Sequence, residues 1–258
     1  MMSVVLLTSA CGAPGVTTTT MGLACTWTRR VIVAEVDPVG GAGILAGYFR
    51  GFQAPTQSVV DLLMAHRANR LSEQFPQSLI PIKSTTASVL PGPRSHGQAF
   101  SVLDLWEPLS LIWKGLNSAE TDVLIDAGRL GMQSYAESLL SAADLVLLVT
   151  RSDLPSIAAT KQWSQRAAET KKTHPEAPDW AVVLVGPGKP YSAHEVSSVL
   201  GLPVLSQLSL DHRGAAVYSH GTTLRGRNRL RSDLIRCGEQ VRSMVSASAQ
   251  LLTPKVGS

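Results

Sequence analysis

Apolar positions along this chain gather into short continuous runs instead of alternating with polar ones. Such runs occur at residues 4–8, 31–36, 88–90, 123–125, 145–150, 181–185 and 204–208. Runs this short, rich in valine, isoleucine and leucine, predict strands buried on both faces, the habit of a parallel sheet. Between them lie stretches with helical spacing, at 17–27, 59–66, 103–116, 136–142, 157–170, 194–200 and from 230 onward. Pro108 marks either the true start of the third helix or a kink in it. Strands and helices alternate throughout, so the expected fold is α/β, a mostly parallel sheet with helices on both faces. The least patterned stretches, 67–87 and 186–193, read as surface loops. We expect one domain over residues 1–252, a basic C-terminal helix from about residue 224, and a frayed tail at 253–258.

Composition narrows the classes. Of 258 residues, 44% are hydrophobic and 16% charged, which excludes a disordered chain and allows a core without a metal or disulfide staple. No apolar run approaches the ~18 residues needed to cross a bilayer. No basic region precedes Val4, so a signal peptide is not expected. Three cysteines, Cys11, Cys25 and Cys237, are too few and too scattered for a disulfide framework or a zinc site, and suit a reducing cytoplasm. The six histidines show no ligand spacing, and no G-x-S-x-G sequence supports serine hydrolase chemistry.

Charge is unevenly spread. Residues 222–258 carry six arginines and Lys255 against Asp233 and Glu239, a net +5; the rest carries 16 basic and 17 acidic residues, a net −1. An acidic partner should therefore meet the tail. Arg225, Arg227, Arg229, Arg231 and Arg236 form the candidate partner or phosphate surface, with Arg242 beyond them. Leu230, Leu234, Cys237, Val241 and Met244 recur at spacing 4-3-4-3 and predict one apolar stripe packed on the body. Acidic protein, DNA and membrane phospholipid all suit a basic helix, but the absence of Trp and Phe disfavours membrane.

The first strand runs into a loop, SACGAPGVTTTTMGLA from Ser9, that opens the first helix. In that setting backbone N–H groups at a helix N-terminus can wrap an anion. Gly12 and Gly15 permit close approach, and the hydroxyls of Thr17 and Thr18 are placed for a metal ion and a phosphate. The candidate cradle is Gly12, Ala13, Pro14, Gly15, Val16, Thr17 and Thr18.

This loop resembles the deviant phosphate-binding loop of the ParA/MinD family of ATPases, whose pattern is roughly S-G-K-G-G-V-G-K-T-T-T-x-x-x-L-A. Gly12, Gly15, Thr17, Thr18, Thr19, Leu23 and Ala24 match it. Ala10, Cys11 and Val16 depart from it, standing where the family has glycine, its signature lysine and its phosphate-binding lysine. Further along, VIVAEVDPVG from Val31 is similar to the family's D-x-D-P-x-G strand, with Glu35 and Asp37 in the acidic places. SVLPGP from Ser88, TDVLIDAG from Thr121, ADLVLLVT from Ala143 and LGLPVLSQLSLD from Leu200, with Gly221 beyond, are similar to later family strands. Val185 and Gly186 stand where the family often has an adenine-contacting asparagine. The likeness covers about the first 225 residues, in order.

The resemblance implies a P-loop fold, a homodimer, protein partners, and a site for ATP or ADP with Mg²⁺, the ion associated with Thr17, Asp37 and Asp126. It implies cytoplasmic residence, peripheral to nucleoid or membrane. The lysine absent at Val16 would lie along the β- and γ-phosphates, and loss of such a charge is worth on the order of 10²–10³ in rate. The lysine absent at Cys11 would reach the nucleotide of a partner subunit. Arg29, Arg30, Arg94 and Arg151 are candidates to replace the missing charge. The expectation is a positioning or assembly-regulating protein with a degenerate nucleotide site, a weak or inactive ATPase serving as a dimeric scaffold. The alternative is a slow active ATPase in DNA partitioning or in placing a division, pilus or secretion machine. A third class, an ATP-dependent amidase-ligase, would need a competent phosphate site.

Overall fold

The computed structural model describes residues 3–252 except 13, 40, 117–119, 134, 189, 225 and 227. The first half of the chain forms β1 (Val4–Ser9), α1 (Val16–Thr26), β2 (Arg30–Glu35), α2 (Gly43–Ala46), α3 (Val59–Arg67), α4 (Leu71–Gln74), β3 (Ile80–Pro81), β4 (Ala87–Leu90), α5 (His96–Ser101) and α6 (Trp106–Gly115). The second half forms β5 (Thr121–Arg129), α7 (Glu137–Ala142), β6 (Leu145–Arg151), α8 (Leu154–Thr173), β7 (Asp179–Val185), α9 (Ala193–Leu200), β8 (Val204–Leu208), α10 (His212–Ser219) and α11 (Arg229–Leu252). The eight strands make one sheet in the order β3-β4-β2-β5-β1-β6-β7-β8. Only the β3–β4 pair is antiparallel.

Because side chains alternate across a strand, each central strand feeds two cores. Leu6, Ala34, Ile125 and Leu148 face a layer that includes α3, α6 and α7. Leu7, Val33, Leu124 and Leu147 face α1, α10 and α11. Burial on both sides explains why the strands read as unbroken apolar runs. The N-terminal end of β1 is fixed by two carboxylates. Asp122 accepts from the Ser3 amide (2.9 Å) and from Trp27 Nε1 (2.8 Å), and Asp144 accepts from the Val4 amide (2.7 Å).

Several expectations need correction. Residues 67–87 are not simply a surface loop: they hold α4, a 3-10 turn at Phe75–Ser78 and β3. Leu71, Phe75, Ile80 and Ile82 there are buried. These apolar residues are spaced too irregularly to show a period. The helix expected over 103–116 begins as a 3-10 turn at Leu103–Leu105, and α6 starts at Trp106, so Pro108 lies in its first turn, where a missing N–H costs little. The C-terminal helix starts at Arg229, not near 224. The strand expected at 123–125 runs longer, from Thr121 to Arg129. The short helices α2, α5 and α10 have no counterpart in the sequence reading. The tail at 253–258 lies outside the described residues.

The expected stripe on α11 is real. Leu230, Leu234, Cys237 and Val241 are buried and Met244 is partly buried against the same core. Leu234 seats on α1 where Gly22 leaves room, since a Cβ at Gly22 would meet Leu234 Cδ1 at 2.5 Å. Its apolar side is therefore spent on the body. Leu234→Ala should lower stability by about 3 kcal/mol, the usual cost of emptying a leucine-sized hole. Urea denaturation checks this: a loss under about 1 kcal/mol would mean that α11 is not docked as described.

Candidate functional site

β1 lies between β5 and β6, so the chain leaves the middle of the sheet in opposite directions on its two sides. In open parallel sheets ligands bind at such a switch point, beyond the C-terminal ends of the strands. The loop from Ala10 to Gly15 emerges there. Gly15 precedes α1 with φ +96°, a left-handed geometry that glycine adopts without strain. No side chain caps α1 and its first turn carries no acidic residue, so the first amides of the helix face the loop without a built-in anion. Ser9 Oγ donates to the Cys11 carbonyl (3.0 Å), and Thr8 Oγ1 donates to the Gly128 carbonyl (3.1 Å), joining the loop to the end of β5.

Of the predicted cradle, Gly12 is exposed, Gly15, Thr17 and Thr18 are half-buried, and Pro14 and Val16 are buried. Ala13 lies outside the described residues. Val16 packs into the core under α1. It offers neither a charge nor a donor to the loop. Cys11 is half-buried.

Three carboxylates, Glu35, Asp37 and Asp126, gather at the ends of β2 and β5, with the Thr17 hydroxyl against Asp126. β2 and β5 pair with Glu35 opposite Asp126, so both side chains leave the sheet on the α1 side. Asp126 is fully buried. Its Oδ1 accepts weakly from the Gly128 amide (3.3 Å), and its Oδ2 has no hydrogen-bond partner. Burial is the main cause that pushes its pKa up to about 7; the Thr17 hydroxyl opposes that rise, and Glu35 and Asp37 add to it. Burial also raises Asp37, whose Oδ1 accepts from the Val39 amide (2.9 Å). Gly128, at φ +60°, is required here, because a Cβ would stand 2.5 Å from the Asp37 carboxyl carbon.

Glu35 has a different task. Its Oε1 accepts from the Ile44 amide (3.0 Å) and its Oε2 from the Gly92 amide (3.0 Å). Burial pushes its pKa up, and those two amides hold it down. Glu35 thus ties the loops after β2 and β4 together at the floor of the site. The sequence pattern put Glu35 in an acidic place but gave no sign of these partners.

The four arginines offered as substitutes separate clearly. Arg29 lies at the far end of the sheet, 3.7 Å from Asp122, and Arg30 begins β2 at that same end. Neither can serve the loop. Arg94 is exposed beside Asp61. Arg151, at the end of β6, lines a cavity of about 140 Å³ together with Pro14, Gly15 and Thr18 of the loop. Val185, Asp211 and His212 line its other walls. Asp211 caps α10 by accepting from the Gly214 amide (2.9 Å), a helix start whose local signal is D-H-R-G.

On the basic helix, Arg229, Arg231 and Arg236 are exposed. Arg236 pairs with Asp233. Arg242 stacks over Trp27, 5.2 Å from the ring centroid. Arg225 and Arg227 lie outside the described residues. None of the described arginines of α11 lines the cavity beside the loop.

Among the described residues, no group of three or more His, Cys, Asp or Glu side chains has metal-binding geometry, and no helix is long and apolar enough to cross a membrane. Two carboxylates and a hydroxyl, the set at Asp37, Asp126 and Thr17, suit a hard cation that completes its shell with phosphate and water oxygens.

The carboxyl of Asp126 stays protonated in the folded, metal-free protein up to about pH 7, against an ordinary value of 3.8 in the unfolded chain. The folded state then holds the extra proton between those values, so stability falls as pH rises through that interval. Asn at position 126 has no proton to lose. In urea denaturation of metal-free protein, the wild type should lose stability relative to Asp126→Asn between pH 5 and pH 7.5. A constant difference across that range would show that Asp126 is not shifted.

No family model matches this sequence, and no curated protein matches it. Solved structures do. The cell division ATPase MinD of Pyrococcus furiosus is 18% identical over 95% of this chain and 100% of its own, with a TM-score of 0.73. The septum site-determining protein MinD of Pyrococcus horikoshii, complexed with Mg-ADP, is 18% identical over 97% of this chain and 100% of its own, at 0.72. A ParA family ATPase of Chlorobium tepidum is 15% identical over 92% of this chain and 98% of its own, at 0.75. The fold of this chain is the ParA/MinD-type P-loop fold: a mostly parallel eight-stranded sheet covered by helices on both faces.

Proposed function

We propose that this chain is a ParA/MinD-like positioning or assembly-regulating protein. It holds ATP or ADP with Mg²⁺ at the loop before α1, turns it over slowly or not at all, and serves as a dimeric scaffold for partner proteins. One observation carries the reading: Asp126 is fully buried and its Oδ2 has no partner, beside Thr17 and Asp37. A buried carboxylate oxygen without a partner is costly unless something else satisfies it, and a divalent cation does so. The Mg-ADP complex of the Pyrococcus horikoshii neighbour supports the same choice of ligand.

Thr17, Asp37 and Asp126 would hold the ion, and the amides at the start of α1 would meet phosphate. Bound there, Mg²⁺ would neutralise part of the phosphate charge. The chain's own contribution to turnover is small. Transfer of a phosphoryl group depends on positioned charge, and positions 11 and 16 supply a thiol and a buried methyl pair. The fit is thus better for binding than for hydrolysis.

A second reading, the slow active ATPase, draws on Arg151, whose side chain lines the cavity that the loop also walls. Calorimetric titration with Mg²⁺–ATP and Mg²⁺–ADP, with phosphate release measured in parallel, separates the two. The scaffold reading expects micromolar binding, a roughly tenfold loss of affinity in Arg151→Ala, and turnover near background in both proteins. The ATPase reading expects measurable turnover that Arg151→Ala abolishes. Absence of binding at millimolar nucleotide would overturn both.

A further inference from the structure

The sheet ends in two unequal edges. One is β3, two residues long; the other is β8, five residues long, with no described strand on its outer side. Exposed edges of this length are templates for another strand, and proteins ordinarily cover or blunt them. Along β8 runs a groove of about 370 Å³, mostly polar, between the strand and α11. Strand residues Val204, Leu205 and Gln207 form one wall, and Arg229, Arg236 and Gln240 form the other. Val204 and Leu205 are half-exposed and Gln207 is exposed, so the strand offers apolar contact to a neighbour.

The charge beside the groove is positive. Asp233 also borders it, but its carboxylate is engaged: Oδ2 accepts from the Ser209 amide (2.9 Å) and hydroxyl (2.6 Å), and Oδ1 from Arg236. Arg229 is exposed at the first turn of α11. Gln240 Oε1 is buried without a partner. A strand laid along β8 would gain backbone hydrogen bonds from the sheet edge, and carboxylate side chains on it would meet the Arg229 guanidinium, Arg236 being paired with Asp233.

We propose that β8 and this groove take an extended acidic segment of a partner protein as an added strand. The proposal rests on the recruiting half of the function above and is independent of nucleotide. A second copy of this chain fits poorly, because pairing β8 with its symmetry mate would bring the arginines of both copies to one seam. A membrane fits poorly as well, since the apolar stripe of α11 is buried in the core.

The test uses the full chain without nucleotide and two labelled octapeptides, TEVEVEVT and its lysine counterpart TKVKVKVT, read by fluorescence anisotropy. The glutamate peptide should bind at micromolar concentration and the lysine peptide at least about tenfold more weakly. Arg229→Glu should weaken the glutamate peptide about tenfold; an acidic residue suits the first turn of a helix, so the variant should fold. Backbone N–H groups of a strand point alternately to its two sides. N-methylation of one alternate set should therefore abolish binding and of the other set leave it intact. No binding of the glutamate peptide at millimolar concentration would overturn the proposal and leave the arginines as guards of the edge. Equal loss from both methylated sets would overturn strand addition. A 20-base-pair duplex that binds with the same Arg229 dependence while the peptide does not would assign the surface to nucleic acid. Each failure leaves the nucleotide titration unaffected.

Discussion

Three carboxylates share one buried corner at the C-terminal ends of β2 and β5, and much of the surrounding structure serves to hold them there. Their mutual repulsion and loss of water are costly. Glu35 is tolerated because two loop amides bind it from either side. Asp37 is tolerated because Gly128 gives it room and the Val39 amide meets it. Asp126 has only the weak contact from Gly128 and the nearby Thr17 hydroxyl, and one of its oxygens remains without a partner. Two loops and a glycine in the left-handed region keep this corner intact, and the proposed cation would offset its negative charge.

That corner gives the loop before α1 its meaning. The same glycine-rich turn without acidic neighbours would be an ordinary strand-to-helix connection. With them, on the proposed function, it would form half of a phosphate site, with Thr17, Asp37 and Asp126 as cation ligands and the amides of α1 opposite them. Arg151 is the basic side chain among the four considered that reaches the neighbouring cavity. It arrives from β6, the strand on the opposite side of β1 from Asp126.

Much of this was legible in the sequence. Strands buried on both faces read as apolar runs, and β1, β2, β5, β6, β7 and β8 fell where those runs lay. Asp37 and Asp126 stood at the ends of such runs, where polar side chains are rare without a reason. Other features left no local signal. The burial of Leu71, Phe75 and Ile82 comes from tertiary packing over a stretch with no period. The bonds of Glu35 to Ile44 and Gly92 join residues 9 and 57 apart in sequence. The choice of Arg151 over Arg29 and Arg30 required knowing which end of each strand meets the loop, which is a matter of sheet order and not of spacing. The groove beside β8 likewise exists only because β8 is the last strand of the sheet.

The most direct test of this account is the titration of the Asp126 carboxyl itself, followed by carbon NMR of the labelled carboxyl group in the free protein and with Mg²⁺–ADP present. The account predicts a midpoint near pH 7 in the free protein, falling into the ordinary carboxylate range once the cation and phosphate are bound. A midpoint that is the same with and without Mg²⁺–ADP would contradict it, because the buried carboxylate would then have no part in holding the ion.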